Sequence, residues 1–423
     1  MSNQEIKDKL FERMKRYCEI DTTSDPESKT YPSTDSQKKL AKLLLSELKK
    51  MGVKNCFIDK YSYVIAKIER NCDDNEKIAF IAHMDTAPSY SGKNVKPKIH
   101  KNYRGGKIVI GRSPDGKEIY LDEKNCPQLK DHIGNDIVTA SGNSLLGADD
   151  KAGLSILMTF AQYLINHPEI KHPDIRLLFT PDEEIGKGVD KLDLKELDAD
   201  FGYTLDGDLK GNIENETFNA DSVSIEVFGK SVHPGTAKNQ MANSVRILSE
   251  IISSWPANML PETTEGYDGF IMFDEIKGDI SYAKASGIVR EHSLKKLKYM
   301  EELLHKIIEE KEKQYPIANI KYEFKEQYRN MKEIIDKHPE VMRRLIKAVK
   351  DAGLEPEIKP VRGGTDGSRL SFMGLPTPNI FTGGYNYHGP YEWISLDSME
   401  KAFEVVLNIA RQKSEVRGQK SDK

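Results

Sequence analysis

The sequence predicts an α/β protein with a mostly parallel central sheet, interrupted by a ferredoxin-like α+β domain. Three features carry that expectation. Near-continuous apolar runs, "KIAFIAHMD" at 77–85 and "DIRLLFT" at 174–180, suit strands buried on both faces. Such runs alternate with helical stretches up to about residue 215, and the same texture returns after 331, an order that builds a parallel sheet. In between, the elements run strand, helix, strand, strand, helix, strand, which is the ferredoxin-like pattern.

Taken in order, residues 5–20 and 35–50 carry apolar positions at three- and four-residue intervals and read as amphipathic helices. The second follows Ser33, Thr34 and Asp35, which could cap it. A short strand at Val64–Ile68 leads to the run at 77–85, and a Gly-, Lys- and Pro-rich excursion covers 91–130. A helix begins near Asp150 with "KAGLSILMTFAQYLINH"; "DIRLLFT" and "ADFGYTLDG" are further buried strands. From Asn215, "DSVSIEVFGKS" alternates as a half-exposed strand does, "ANSVRILSEIISSW" is helical, and "YDGFIMFDEIKGDISYAKASGIVRE" reads as two strands. A long amphipathic helix, "LKKLKYMEELLHKIIEEKEKQY", and the strand "NIKYEFKEQY" close this part. The α/β texture then resumes with a helix at 339–352, the glycine turn "RGGTDG", the strand "TPNIFTGG" and a last helix at 397–411. The expected division is therefore 1–215 with 331–423 as one domain and 216–330 as a second, with a charged tail from about Gln412.

At 423 residues the chain is longer than one core usually serves, and 38% hydrophobic residues suffice to build two. Lysine and arginine number 63 against 67 acids, a net charge of −4 without a long basic block, so nucleic acid is not an expected partner. The N-terminal "MSNQEIKDKLFERMKRY" mixes charge with apolar residues and holds no run for a signal or a membrane span, so a soluble, cytoplasmic protein is expected. Cys18, Cys56, Cys72 and Cys126 are scattered, which suits free thiols rather than a disulfide scaffold or zinc knuckle.

A parallel sheet carries its site beyond the carboxyl ends of its strands. There the sequence places His83 and Asp85 in "AHMD", Glu183 and Glu184 in "TPDEEIG", and Asp206 in "LDGD". Asp149 and Asp150 precede a helix, and His388 comes from the loop "GGYNYHGPYEW". His83 and Asp85, two apart, share a face, as suits an imidazole ligand steadied by a carboxylate. Two histidines and several carboxylates without cysteine suit zinc, or less tightly manganese or cobalt. They are too many for one tetrahedral ion; two ions about 3.5–4 Å apart, bridged by a carboxylate and a water, would use them all. Asp182 is expected to be solvated or to cap its loop.

The segments "AHMDTAP", "LLGADDKAG", "FTPDEEIG", "YTLDG", "SVHPGTAK" and "RGGTDGSRLSFMGLPTPNIFTGGYNYHG" closely resemble the peptidase T family, the tripeptide aminopeptidases within the di-zinc aminoacylase and carboxypeptidase superfamily. The resemblance spans nearly the whole chain, in order. It implies a zinc-binding α/β domain interrupted by a ferredoxin-like lid through which the protein forms a homodimer. It also implies that His83 and Asp206 hold one Zn2+, that Glu184 and His388 hold the other, that Asp149 bridges both, and that the Asp149–Asp150 peptide is cis. Glu183 becomes the general base and Asp85 the partner that orients His83. His233, in "GKSVHPGTAKN", is expected to reach the partner subunit's active site and stabilise the oxyanion. Arg290 matches the position where relatives bind the substrate's C-terminal carboxylate, a task a planar guanidinium suits. Arg362, beside glycines that let backbone approach a ligand, is a second candidate for substrate binding, and Asn386 a candidate for the peptide's free amine. The expected substrates are tripeptides, cleaved after the N-terminal residue. A dipeptidase or an N-acyl amino acid deacylase on the same scaffold is the alternative among hydrolases, and a non-catalytic peptide-binding protein the alternative outside them.

Overall fold

In the computed structural model, which describes residues 2–113 and 115–413, an eight-stranded sheet organises the larger of two compact units. Its strands lie in the order Asn55–Ile58, Val64–Ile68, Asp174–Thr180, Lys77–His83, Phe201–Gly207, Asn379–Phe381, Asn212–Glu216 and Glu357–Pro360. The four inner strands, 174–180, 77–83, 201–207 and 379–381, are mutually parallel, and antiparallel pairs flank them. Successive residues of the strand 77–83 serve opposite faces. Ala79 and Ile81 join Leu178, Leu370 and Leu375 on one side, whereas Phe80 meets Phe160 on the other, with ring centroids 5.4 Å apart. Each such leucine, isoleucine or phenylalanine, taken fully from water, contributes about 1.5–3 kcal/mol. Double-sided burial explains why these runs lack alternation. Phe160 belongs to the helix Ala148–Asn166, which is buried over most of its length.

The outer strands at 55–58, 212–216 and 357–360 and the helix Asp366–Met373 are not anticipated by the sequence pattern. They are short, four to eight residues, and too brief for a periodic signal. Part of the 91–130 excursion also acquires order. Lys98–His100 pairs with Ile137–Thr139, which pairs with Trp393–Ser395, a partner some 250 residues away that local pattern cannot reveal. The helix Asp35–Met51 starts after Thr34, yet no side chain caps it; Ser33 hydrogen-bonds Asp182 instead.

The smaller unit comprises Glu216–Lys332 and Pro360–Gly364, so the chain returns to the larger unit at Glu333 and leaves it briefly once more. Its four strands, in the order Phe270–Gly278, Tyr282–Glu291, Asn219–Phe228 and Asn319–Tyr328, are all antiparallel. Helices Ser244–Ser253 and Leu294–Gln314 cover one face: Val223, Ile225 and Val227 pack with Ile247, Leu248, Ile251, Leu297, Leu304 and Ile308. The intervening Ser222, Ser224 and Glu226 face away, which yields the alternation read in the sequence. Among the described residues no helix is long and apolar enough to cross a membrane. The charged tail beyond Lys413 lies outside the described residues.

Candidate metal and active site

Four parallel strands end on the same side, and the loops that follow them converge. His83 closes its strand with a side chain 2% exposed. Its Nε2 lies 2.9 Å from Asp149 Oδ1 and 3.6 Å from Asp206 Oδ1. His388 Nε2 lies 3.1 Å from Asp149 Oδ2 and 3.0 Å from Glu184 Oε2. Asp149 thus directs one oxygen to each histidine, and each histidine has a second carboxylate of its own. Two overlapping triads, His83 with Asp149 and Glu184 and His83 with Glu183 and Asp206, each bring their ligand atoms within 4.8 Å of one another.

Asp85 steadies this arrangement from below. It is fully buried; Oδ1 accepts the Glu183 N–H at 3.0 Å, Oδ2 accepts the Glu184 N–H at 3.1 Å, and Oδ1 stands 3.3 Å from His83 Nδ1. Asp85 therefore orients both the turn of two glutamates, through its carboxylate, and the imidazole, through its carbonyl, 3.1 Å from His83 Nδ1. Asp150, also buried, does the same for the backbone: it accepts the His83 N–H at 3.0 Å and the Gly153 N–H at 3.1 Å. The Asp149–Asp150 peptide is cis. Asp182 is not solvated but wholly buried, where it accepts from Ser33 N–H, Ser33 Oγ and Gln37 Nε2 and so fastens the turn preceding the glutamates. Asp182, Asn386 and His388 have φ of 58°, 54° and 63°. Asp, Asn and His are the types that most readily take this left-handed conformation, which clusters at functional sites.

The electrostatics are those of acids crowded together. Burial, then the charge of Asp149, pushes Glu184 up to about 7, and burial with the His83 and Asp149 interactions brings Asp206 to about 6. Burial and the charge of Asp206 hold Glu183 well above the usual carboxylate range. Against the pull of burial, hydrogen bonds from His388 and His83 hold Asp149 below that range. His83 is drawn down by its burial, yet its carboxylate partners outweigh this and keep it well above an ordinary histidine. His388 rises to about 11 through its hydrogen bonds to Asp149 and Glu184. Glu184 Oε1 is buried without a hydrogen-bond donor. A nitrogen and oxygen donor set, excess negative charge and an orphaned ligand oxygen fit a site for divalent cations.

The remaining sequence candidates make hydrogen bonds and ring contacts within their own surroundings. Asn386 donates its amide to Cys126 Sγ at 2.9 Å and to Tyr391 O at 3.3 Å. Tyr385 stacks on Trp393 at 4.1 Å, and the Tyr387 hydroxyl bonds Thr382 and the Gly384 N–H, so both tyrosines serve the loop. His233, Arg290 and Arg362 belong to the smaller unit. His233 is exposed and opens the turn Pro234–Thr236, its Nδ1 accepting the Gly235 N–H. Arg290 donates to the Asp221 and Val289 carbonyls and lies 5.5 Å over the Tyr328 ring. Arg362 donates to Gly266 O, Asp268 O and Thr264 Oγ1 and so holds the loop 264–268. The neighbouring glycine serves packing: a Cβ on Gly364 would stand 2.5 Å from the Tyr328 ring.

A sequence model of peptidase family M20/M25/M40 matches residues 146–412. A protein of Clostridium perfringens named peptidase T is 48% identical over 404 residues, covering 95% of this chain and 98% of that one. Among solved structures, aminopeptidase PepT of Bacillus cereus superposes with a TM-score of 0.74 at 21% identity, covering 96% of this chain and 98% of that one. A tripeptidase of Staphylococcus aureus gives 0.75 at 20%, with the same coverage. The fold is therefore shared with both.

Proposed function

The chain belongs to peptidase family M20/M25/M40 and is a peptide hydrolase, and from that premise we propose a zinc-dependent aminopeptidase that removes the N-terminal residue from tripeptides. The observation that carries the metal reading is Asp149, one oxygen on each of two histidines that each have a further carboxylate. In this reading His83 and Asp206 would hold one Zn2+, Glu184 and His388 would hold the second, and Asp149 would serve both. Bound zinc would supply Lewis acidity, bringing a water's pKa toward neutrality and polarising the scissile carbonyl; cobalt or manganese suits the same donors.

The remaining steps fall to side chains. Glu183 takes the proton of the attacking water and returns it to the leaving amine, a role its part-buried position beside His83 and Asp206 supports. Asp85 fixes Glu183 and Glu184 through their N–H groups, so base and ligand point in different directions from adjacent residues. His233 of a partner subunit donates to the developing oxyanion, Arg290 receives the substrate carboxylate, and Arg362 and Asn386 shape the binding surface. A cytoplasmic homodimer joined through the smaller unit completes the reading.

Hydrolysis of Leu-Gly-Gly by the purified protein, before and after chelation and zinc restoration, tests it. Free leucine and Gly-Gly, lost on chelation and regained with zinc, are expected. Cleavage of N-acetylated substrate or of dipeptides in preference would replace this reading with the deacylase or dipeptidase.

A further inference from the structure

Glu392 follows His388 by four residues and is 1% exposed. Its two oxygens accept four consecutive backbone N–H groups: Oε2 takes Leu146 at 2.7 Å and Gly147 at 2.8 Å, and Oε1 takes Ala148 at 2.7 Å and Asp149 at 3.3 Å. Gly147, at φ 76°, turns the chain so that these donors point inward ahead of the helix 148–166. A carboxylate is the group that can satisfy four such donors at once, and the helix dipole favours its charge there.

The consequence lies in what the two ends carry. One end of this clamp is the backbone of Asp149, the other the segment bearing His388, whose side chain is 47% exposed. The His388 loop has further ties: Ser89 Oγ donates to His388 O at 3.2 Å, Asn386 donates to Cys126 and Tyr391, and the Tyr387 hydroxyl bonds Thr382 and the Gly384 N–H, but none of these reaches the backbone of Asp149. We infer that Glu392 is the positioning residue that sets the separation of His388 from Asp149, and so pre-forms the cation position those two share with Glu184. The inference rests on the two-metal reading above.

Glu392→Gln keeps shape but replaces one acceptor by an NH2 group facing two N–H donors, so half the clamp opens. Zinc affinity is read on the metal-free protein by competition with a chelator, alongside its thermal midpoint. Glu400→Gln, altering another buried acid that pairs with Lys7 on the terminal helix, is the control. Glu392→Gln should weaken the binding of one of the two zinc ions about 10- to 100-fold. Its metal-free midpoint should fall below that of the control, since two buried N–H groups lose their acceptor, while kcat should recover at saturating zinc. Should Glu392→Gln fail to fold, Glu392→Asp, shortened by one methylene, must show the same selective loss of zinc affinity. Wild-type affinity in the folded variant, or a loss matched by the control, overturns the inference while leaving the two-metal reading intact. A wild-type protein that binds fewer than two zinc ions overturns both.

Discussion

Each unit buries acids side by side, and each resolves the conflict differently. In the larger unit Asp149, Glu184 and Asp206 gather around His83 and His388, and among the described residues no lysine or arginine pairs with them. In the smaller unit Asp221 and Glu301 meet, but Arg329 lies on Asp221 at 2.5 Å, and Lys298 lies 2.7 Å from Glu301 and 3.5 Å from Asp221. Both clusters leave a buried carboxylate oxygen without a donor, Glu184 Oε1 and Glu301 Oε1. A proton satisfies the second, since a protonated Glu301 can donate to Asp221. Fixed cations mark a structural pair; imidazoles, which are both ligands and bases, mark a place left for a metal. That contrast, more than the number of acids, separates function from scaffold here.

The sharpest break in the contrast is Glu183→Ala. Turnover of a tripeptide should fall about 10³-fold or more with zinc content unchanged, by metal analysis and kcat. Retained activity would remove Glu183 from the proposed chemistry.

Next in size is metal removal. Chelation should lower protection of 146–153 and 183–186 in hydrogen exchange and leave strand 219–228 as it was. Stabilisation of about 4 kcal/mol is expected at a metal concentration a thousandfold above Kd. Equal loosening of both units would show that the acids of the larger unit do not need the ion.

Asp182→Ala probes a buried acid of the larger unit held by neutral donors alone. Stranding the Ser33 and Gln37 donors should cost about 3 kcal/mol in denaturant unfolding, with zinc affinity little changed. A tenfold loss of zinc affinity at unchanged stability would place Asp182 in the metal site instead.

The smallest effect belongs to Glu301. Burial, then its hydrogen bond to Asp221, pushes it up to about 7, so the folded protein keeps a proton the unfolded chain has already lost. Its stability contribution is therefore full below the ordinary carboxylate range and lost as pH rises through about 7. Glu301→Gln, which offers an N–H donor at any pH, should flatten the decline in thermal midpoint between pH 5 and pH 8. An unchanged slope would mean that Glu301 ionises normally.

Much of the site was legible because strand ends are readable. Once 77–85, 174–180 and 201–207 are taken as buried strands, His83, Glu183, Glu184 and Asp206 fall at their carboxyl ends, and topology gathers them. Asp150 was visible only as an acid preceding a helix and as one side of the expected cis peptide, although it pins the His83 backbone. Asp182 read as solvated or as a cap of its loop, and its burial was missed because nothing local announces that Ser33 and Gln37 come to meet it. For Glu392 a faint signal existed, an acid beside Trp393 at the entrance to a strand, but its four partners lie some 245 residues earlier.

By itself the sequence determined the alternation of elements, the inserted βαββαβ order, and the kinds of side chain offered at the strand ends, because periodicity and residue chemistry are local properties. Only the tertiary structure decided which acids come together around the histidines, which brace and which merely pack, because that depends on distances between segments hundreds of residues apart and on which buried oxygens still lack a partner.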